Sequence, residues 1–292
     1  MSAVPIPPPA PRLAPDWQDW LAGNVVRGVG DAEMLDAMRN AGFDENYART
    51  AISVVRSMTE RVQRESPALL VQYRADPIRL PVANRVRAAD RDVGIGFVLQ
   101  DPNVALLTGL LSGKECEELI RLASGKMRRS QVVDRGSGQL EVSAVRTSEG
   151  THFQRGENAL VQRLELRIAA LTGVPVDHGE PLQVLHYRVG DEYRPHHDYF
   201  DPASPGSQEH VRQGGQRVAT MVIYLNQVEE GGGTGFPELE LSVRPQPGCA
   251  VYFEYFNSAG ELDSRCLHAG APVARGEKWV VTKWLRQGPY FR

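Results

Sequence analysis

Cysteine is scarce in this chain: Cys116, Cys249 and Cys266 are the only three among 292 residues. An odd number without paired spacing excludes a disulfide framework and a zinc knuckle. The expectation is three small, buried, reduced thiols, which suits a cytoplasmic protein. Long apolar runs are lacking too, and no stretch approaches the roughly 20 residues that span a bilayer. The opening MSAVPIPPPAPRLAP lacks the basic-then-apolar order of a secretory signal, so no membrane association is expected. Nor is there a surplus of one charge: 33 basic and 36 acidic side chains leave a formal charge of −3. That balance points away from nucleic acid and from anionic membranes, although a weakly acidic total leaves room for a local basic groove. Hydrophobic residues at 41% and charged residues at 24% fit an ordinary globular chain.

Residues 1–16 carry Pro5, Pro7, Pro8, Pro9, Pro11 and Pro15 and read as an extended, disordered tail. Residues 17–65 turn helical. Asp31 is placed to cap a helix bearing Met34, Leu35 and Met38, with Gly42 as its stop. Asp44 is placed to cap a second, with Tyr47, Ala51, Val54, Val55, Met58 and Val62 near helical spacing. Nothing in this small module carries chemistry. Its apolar residues read as its own core, and the module is a candidate to recruit a partner protein. Residues 66–95, with Pro67, Pro77 and Pro81, read as a linker.

From residue 96 to 292 the texture changes. Ser112 and Glu115 form a capping-box pair, and a second helix is expected from Asn158 to Leu171 with Gly173 beyond its end. The rest reads as short strands: LQVLHYRV, PHHDYF, RVATMVIYLN, CAVYFEYF and WVVTKWLR. Short strands punctuated by Gly and Pro, without alternating helices, argue for a closed or double-sheet antiparallel fold. The expected class is mainly β with flanking helices: a double-stranded β-helix, or jelly roll, plus the small N-terminal helical module.

His196-His197-Asp198 lies in a run with strand character. Alternate side chains on a strand face one way, so His196 and Asp198 share a face while His197 points away. His268, in SRCLHAG, offers a third ligand. Two histidines and a carboxylate on one face match the facial triad of non-haem iron(II) oxygenases, and they also suit catalytic zinc. Lys278 follows His268 by ten residues and Trp284 follows by six more, sharing parity with Thr282 on the last strand. A cation buried beside a metal needs an anion, because unpaired burial of charge is unfavourable. A dicarboxylic cosubstrate would supply one: one end on the metal, the other at Lys278.

From about Asp101 to Arg286 the chain resembles the prolyl 4-hydroxylase branch of the 2-oxoglutarate dioxygenases. The segments that carry the resemblance are LLSGKECEELI, AVRTSEGTHF, LQVLHYRVGDEYRPHHDYF, QRVATMVIYLNQVEEGGGTGFPE, PQPGCAVYFEY and HAGAPVARGEKWVVTKWLR. The resemblance implies a dioxygenase domain over 96–292 with iron(II) on His196, Asp198 and His268. It places the far carboxylate of 2-oxoglutarate on Lys278, with Tyr187 as a hydrogen-bond donor to it. Thr220 and Trp284 match positions lining the cosubstrate pocket. The loop around Arg146, Thr147 and Ser148 and the insertion DPASPGSQEHVRQGGQ match regions that cover the substrate. Arg146 is a candidate to bond a peptide carbonyl, or simply to pair with an acidic neighbour. The implied reaction hydroxylates proline in a peptide, using O2 and converting 2-oxoglutarate to succinate and CO2, with ascorbate as a candidate reductant and ligand. A hydroxylase of a free amino acid or another side chain, a jelly-roll binding protein that keeps the triad, and a zinc hydrolase are the rival readings.

Overall fold

The computed structural model describes residues 13–26, 28–65, 73–130, 132–133, 140–141, 146–204 and 206–291. The proline-rich stretch expected to form a tail lies almost wholly outside the described residues. The chain divides into two compact units, Met1–Gln72 and Tyr73–Arg292.

The first unit holds α1 (Pro15–Val26), α2 (Asp31–Asn40) and α3 (Glu45–Glu65) around Leu21, Met34, Met38, Ala48 and Ile52, all at most 2% exposed. Gly42 adopts φ +91° after α2, the left-handed conformation that glycine permits at a helix end. Asp44 accepts from the Tyr47 amide at 3.0 Å, as its position suggests. Asp31 does not cap: Gly30 occupies that position, and the Asp31 carboxylate instead meets Arg56 of α3 at 2.8 Å. Val54 and Met58 also depart from expectation, at 51% and 65% exposed, because the apolar stripe of α3 is narrower than the sequence spacing suggests. The side chain of Val62 lies outside the described residues.

The second unit begins with β1 (Arg85–Ala88), β2 (Arg91–Leu99), β3 (Val104–Thr108) and α4 (Gly113–Ser124). Next come β4 (Arg128–Arg129), β5 (Val132–Val133), β6 (Leu140–Glu141), β7 (Glu149–Phe153) and α5 (Ala159–Thr172). They are followed by β8 (Leu182–Tyr187), β9 (Tyr193–His196), α6 (Ser207–Val211), β10 (Arg217–Tyr224), β11 (Glu230–Gly231) and β12 (Thr234–Phe236). The chain ends with β13 (Leu241–Val243), β14 (Ala250–Glu254), β15 (His268–Gly270), β16 (Val273–Arg275) and β17 (Lys278–Arg286).

Nine strands form an antiparallel sheet in the order β1-β2-β3-β14-β10-β17-β8-β7-β4, and four form a smaller one, β13-β12-β15-β9. The central strands of the large sheet are buried on both faces, which is why they read as near-continuous apolar runs. On one face Leu182, Val184, Met221, Ile223, Trp279 and Val281 pack with Leu119, Leu164 and Ile168 of α4 and α5. On the other, Leu185, Tyr187, Tyr224, Phe253 and Val280 pack with Phe236 and Val243 of the small sheet. Two sheets closing on one core make the expected jelly roll, with helices backing the large sheet. Ser112 caps α4 through the anticipated box with Glu115, and Gly173 closes α5 at φ +68°.

The linker expected over 66–95 is corrected in its second half. Residues 85–88 and 91–99 form the hairpin at the edge of the large sheet, in which Ala88 and Val93 are fully buried. Asp90 at its turn meets Arg167 of α5 through two bonds of 2.7 and 2.8 Å, tying the hairpin to the helix layer. Prolines at 77 and 81 precede this hairpin and do not interrupt it.

Candidate active site

His196 closes β9 and His268 opens β15, and the two are direct cross-strand partners in the small sheet. Asp198 lies two residues past the end of β9, so the strand expected over PHHDYF stops at His196. The three side chains converge nonetheless. Asp198 Oδ1 lies 3.6 Å from His196 Nε2, and Oδ2 lies 3.5 Å from His268 Nε2. One donor atom from each residue fits within a span of 4.8 Å.

Each histidine presents Nε2 for a physical reason. His196 Nδ1 donates to the Arg194 carbonyl at 2.8 Å, and His268 Nδ1 donates to the Cys266 carbonyl at 3.1 Å. With the proton fixed on Nδ1, the Nε2 lone pair is free for a metal. Burial, then the proximity of His268, pushes His196 down to about 3. Burial alone would raise the Asp198 carboxyl, but His268, His196, Arg217 and the Thr220 hydroxyl hold it at about 2. Both side chains therefore stand deprotonated at neutral pH, as ligands must. His197 faces elsewhere, bonded to the Ser264 carbonyl at 2.9 Å and stacked on Tyr199.

Beside the triad, a cavity between the two sheets is lined by Tyr187, Tyr193, Val222, Thr234, Lys278 and Trp284, among others. Lys278, Thr282 and Trp284 share this face of β17, as strand parity predicts. Lys278 is 3% exposed and meets no carboxylate among the described residues. Burial pushes its amine down to about 8. Tyr187 is its cross-strand partner, with the amine 5.3 Å from the ring centroid, and burial raises the phenol. The Trp284 indole N–H is buried without a hydrogen-bond partner among the described residues. A buried cation and an orphaned donor facing one cavity fit an anionic, acceptor-rich guest.

Thr220 does not line that cavity. It sits beneath Asp198, donating to Oδ2 at 2.7 Å, and with its one hydrogen so used it accepts from Tyr255 at 2.9 Å. Its place is behind the carboxylate, orienting it. Arg146 is 3% exposed and its partners are neutral: Gln183 Oε1 at 2.8 Å and Ser148 Oγ at 3.3 Å. The expectation of an acidic neighbour is thus not met. Arg146 lines both the cavity and a larger groove of about 1450 Å³ that runs past His196 and Asp198. The insertion at 201–216 forms part of the groove wall, and Arg286 holds it through the carbonyls of His210 and Gln213.

Sequence reasoning missed three neighbours. Tyr193 stacks on His196 with ring centroids 3.5 Å apart. Arg217 donates to the Asp198 carbonyl at 3.1 Å, grips Glu180 at 2.7 and 2.9 Å, and lies 3.8 Å over the Trp284 ring. Gln183 shares the parity of Leu185 and Tyr187, a signal that could have found it. For Arg217 no local pattern exists, since these partners come from three segments separate from its own.

The pattern of the 2OG-Fe(II) oxygenase superfamily matches residues 182–286, which hold every triad residue and Lys278. Probable prolyl 4-hydroxylase 3 of Arabidopsis thaliana is 40% identical over 243 residues, covering 74% of this chain and 83% of that protein. Probable prolyl 4-hydroxylase 10 of the same plant is 40% identical over 67% of this chain and 73% of its own length. The chain belongs to the prolyl 4-hydroxylase family. Among solved structures, the viral collagen prolyl hydroxylase of Paramecium Bursaria Chlorella virus-1, in complex with 2OG, aligns at a TM-score of 0.49 and 30% identity. That alignment spans 63% of this chain and 95% of the viral one. As a member of the family, the chain is an iron(II)- and 2-oxoglutarate-dependent dioxygenase that uses O2. The two Nε2 atoms and the Asp198 carboxylate fit iron(II), and the unpaired Lys278 amine fits a dicarboxylic acid.

Proposed function

We propose that this dioxygenase hydroxylates proline within a peptide or protein, and that His196, Asp198 and His268 hold its iron. Bound iron(II) and 2-oxoglutarate supply the oxidising power to insert one atom of O2 into a C–H bond, with succinate and CO2 as co-products. The protein's part is binding and orientation. Lys278 pairs with the far carboxylate, assisted by the Tyr187 hydroxyl, and the Trp284 N–H gives an acceptor-rich guest a further donor. The Tyr255–Thr220 relay fixes the Asp198 carboxylate, and the Arg194 and Cys266 carbonyls fix the two imidazoles. Apolar walls from Leu185, Val222 and Val280 keep bulk water from the cosubstrate.

The observation that carries the peptidyl reading is the 1450 Å³ groove passing the triad, an opening a free amino acid does not need. The names of the relatives support proline as the target. Ascorbate as reductant, a cytoplasmic location consistent with three buried free thiols, and partner recruitment by the helical unit complete the reading. Incubation with iron(II), 2-oxoglutarate, O2 and a proline-peptide library is expected to add one oxygen atom to proline, with equimolar succinate, by mass spectrometry. Coupled turnover on free proline but not on peptides would overturn the peptidyl assignment.

A further inference from the structure

The groove past the triad has a charge unlike that of the whole chain. The sequence has 36 acidic and 33 basic side chains, yet the groove is lined by seven Lys or Arg and only four Asp or Glu. Those four acids are already engaged. Glu180 is shared between Arg217 and Arg286, and Glu209 pairs with Arg212 at 2.8 Å. Asp198 belongs to the triad, and Asp201 turns onto its own loop, accepting from Ala203 at 2.9 Å and Ser204 at 3.2 Å. Arg128 and Arg129, by contrast, meet no carboxylate among the described residues. Arg128 donates to the Met127 carbonyl at 2.8 Å and Arg129 to the Thr147 carbonyl. Both stand exposed on β4, the edge strand of the large sheet, where β4 pairs with β7 and β7 with β8.

We propose that this groove selects acidic peptides, with Arg128 and Arg129 reading a carboxylate a few residues from the target proline. β4 lies two strand intervals, about 10 Å, from β8, whose Gln183 lines both the groove and the cavity beside the triad, so a side chain a few residues along an extended peptide comes within reach of the two arginines. Complementary charge at the rim of a site chiefly steers encounter and rejects like-charged partners. A nucleic acid also carries negative charge, but a long polyanion would meet the net acidic remainder of the chain, whereas a short acidic segment meets only the groove. This inference rests on the peptidyl reading above.

The test uses the full chain loaded with iron(II) and 2-oxoglutarate. Two series of single-proline peptides carry Asp, Ser or Lys at the second to fourth position before, or after, the proline. At low salt the Asp peptide of one series is expected to exceed the Lys peptide about tenfold in kcat/KM, mostly through KM, with the gap narrowing at high salt. In the double variant R128E/R129E that order should reverse, while turnover of the Ser peptide stays within about twofold, showing an intact site. Rates independent of peptide charge in both series would overturn the proposal and leave the two arginines as protection of a sheet edge. Anaerobic fluorescence anisotropy with labelled Asp peptide separates the two layers. Arginine-dependent binding without hydroxyproline would sink the peptidyl-proline reading and leave the groove assignment standing. A single-stranded oligonucleotide bound more tightly than the Asp peptide would overturn it in favour of a nucleic-acid partner.

Discussion

Lys278 and Lys283 lie on the same strand, β17, and are buried almost equally, at 3% and 2% exposed. Their parity puts them on opposite faces of the large sheet, and the two faces treat a buried ammonium differently. On the helix-backed face, Lys283 meets Glu165 of α5 at 2.8 Å. Burial pushes that amine down, and the carboxylate opposes the effect. On the cavity face, Lys278 is pushed down by burial with no carboxylate among the described residues to oppose it. A buried cation whose counter-ion is built into the chain is structural. One that meets no counter-ion among the described residues marks the place for a charge that arrives with a ligand.

The sharpest way to break this distinction between faces is at the metal. His196→Ala, Asp198→Ala and His268→Ala should each abolish succinate release, because a facial triad has no spare ligand. His197→Ala should keep most activity, since its ring is bonded to Ser264 on the far side. Activity in His196→Ala with loss in His197→Ala would show the faces to be assigned backwards.

The two lysines should then fail in different currencies. Lys278→Met should raise the KM for 2-oxoglutarate at least about 100-fold while leaving thermal stability nearly unchanged, the equivalent of about 3–5 kcal/mol for an unpaired buried charge. Lys283→Met should do the opposite, lowering unfolding free energy by about 3–5 kcal/mol with the KM unmoved, and Glu165→Leu in the same chain should recover much of the loss. Equal KM values in Lys278→Met and wild type would remove the argument for the dicarboxylic cosubstrate.

A smaller effect is expected behind the triad. Thr220→Val keeps the shape of the side chain but removes the donor to Asp198, and should weaken iron binding about 10- to 100-fold without abolishing turnover at saturating iron. If iron affinity holds while the 2-oxoglutarate KM rises, Thr220 lines the cosubstrate pocket after all.

The last expectation is a pH profile. The Lys278 amine, held at about 8 by burial, is a cation below that pH and is neutral above it. Affinity for 2-oxoglutarate should therefore fall as pH rises through 8, with KM climbing about tenfold from pH 7 to pH 9. Lys278→Arg, weaker overall because the planar fork fits a point-charge pocket poorly, should show no such slope, since arginine stays charged. A flat wild-type profile would mean that the cavity is wetter than its apolar walls imply.

Much of the site was legible because period-2 alternation is a local property. Strand parity alone brought Lys278, Thr282 and Trp284 to one face and turned His197 away, and the capping chemistry of Ser112 and Glu115 marked the start of α4. The same local reasoning stumbled where local cues were ambiguous. The hairpin at 85–99 was hidden behind prolines that precede it, and Asp31, three residues before Met34, had the spacing of a cap while Gly30 had its place.

Amino-acid order by itself pointed to the fold class, to the candidate ligands His196, Asp198 and His268 and to the lysine on the cavity face, because side-chain type, strand alternation and the order of motifs along the chain mark each of them. Tertiary structure alone decided what stands behind those residues. Thr220 serves Asp198 instead of the cavity because β10 passes beneath the end of β9. Arg217 joins Glu180, Asp198 and Trp284 because four segments distant in sequence meet there. The basic groove emerges from a chain with an acidic surplus because folding sorts charges in space, pairing Glu180 and Glu209 with one set of arginines and leaving Arg128 and Arg129 without a carboxylate among the described residues. Spacing along the chain carries no information about such meetings: they depend on which strands become neighbours, and that is settled by burial of the two apolar faces of the large sheet.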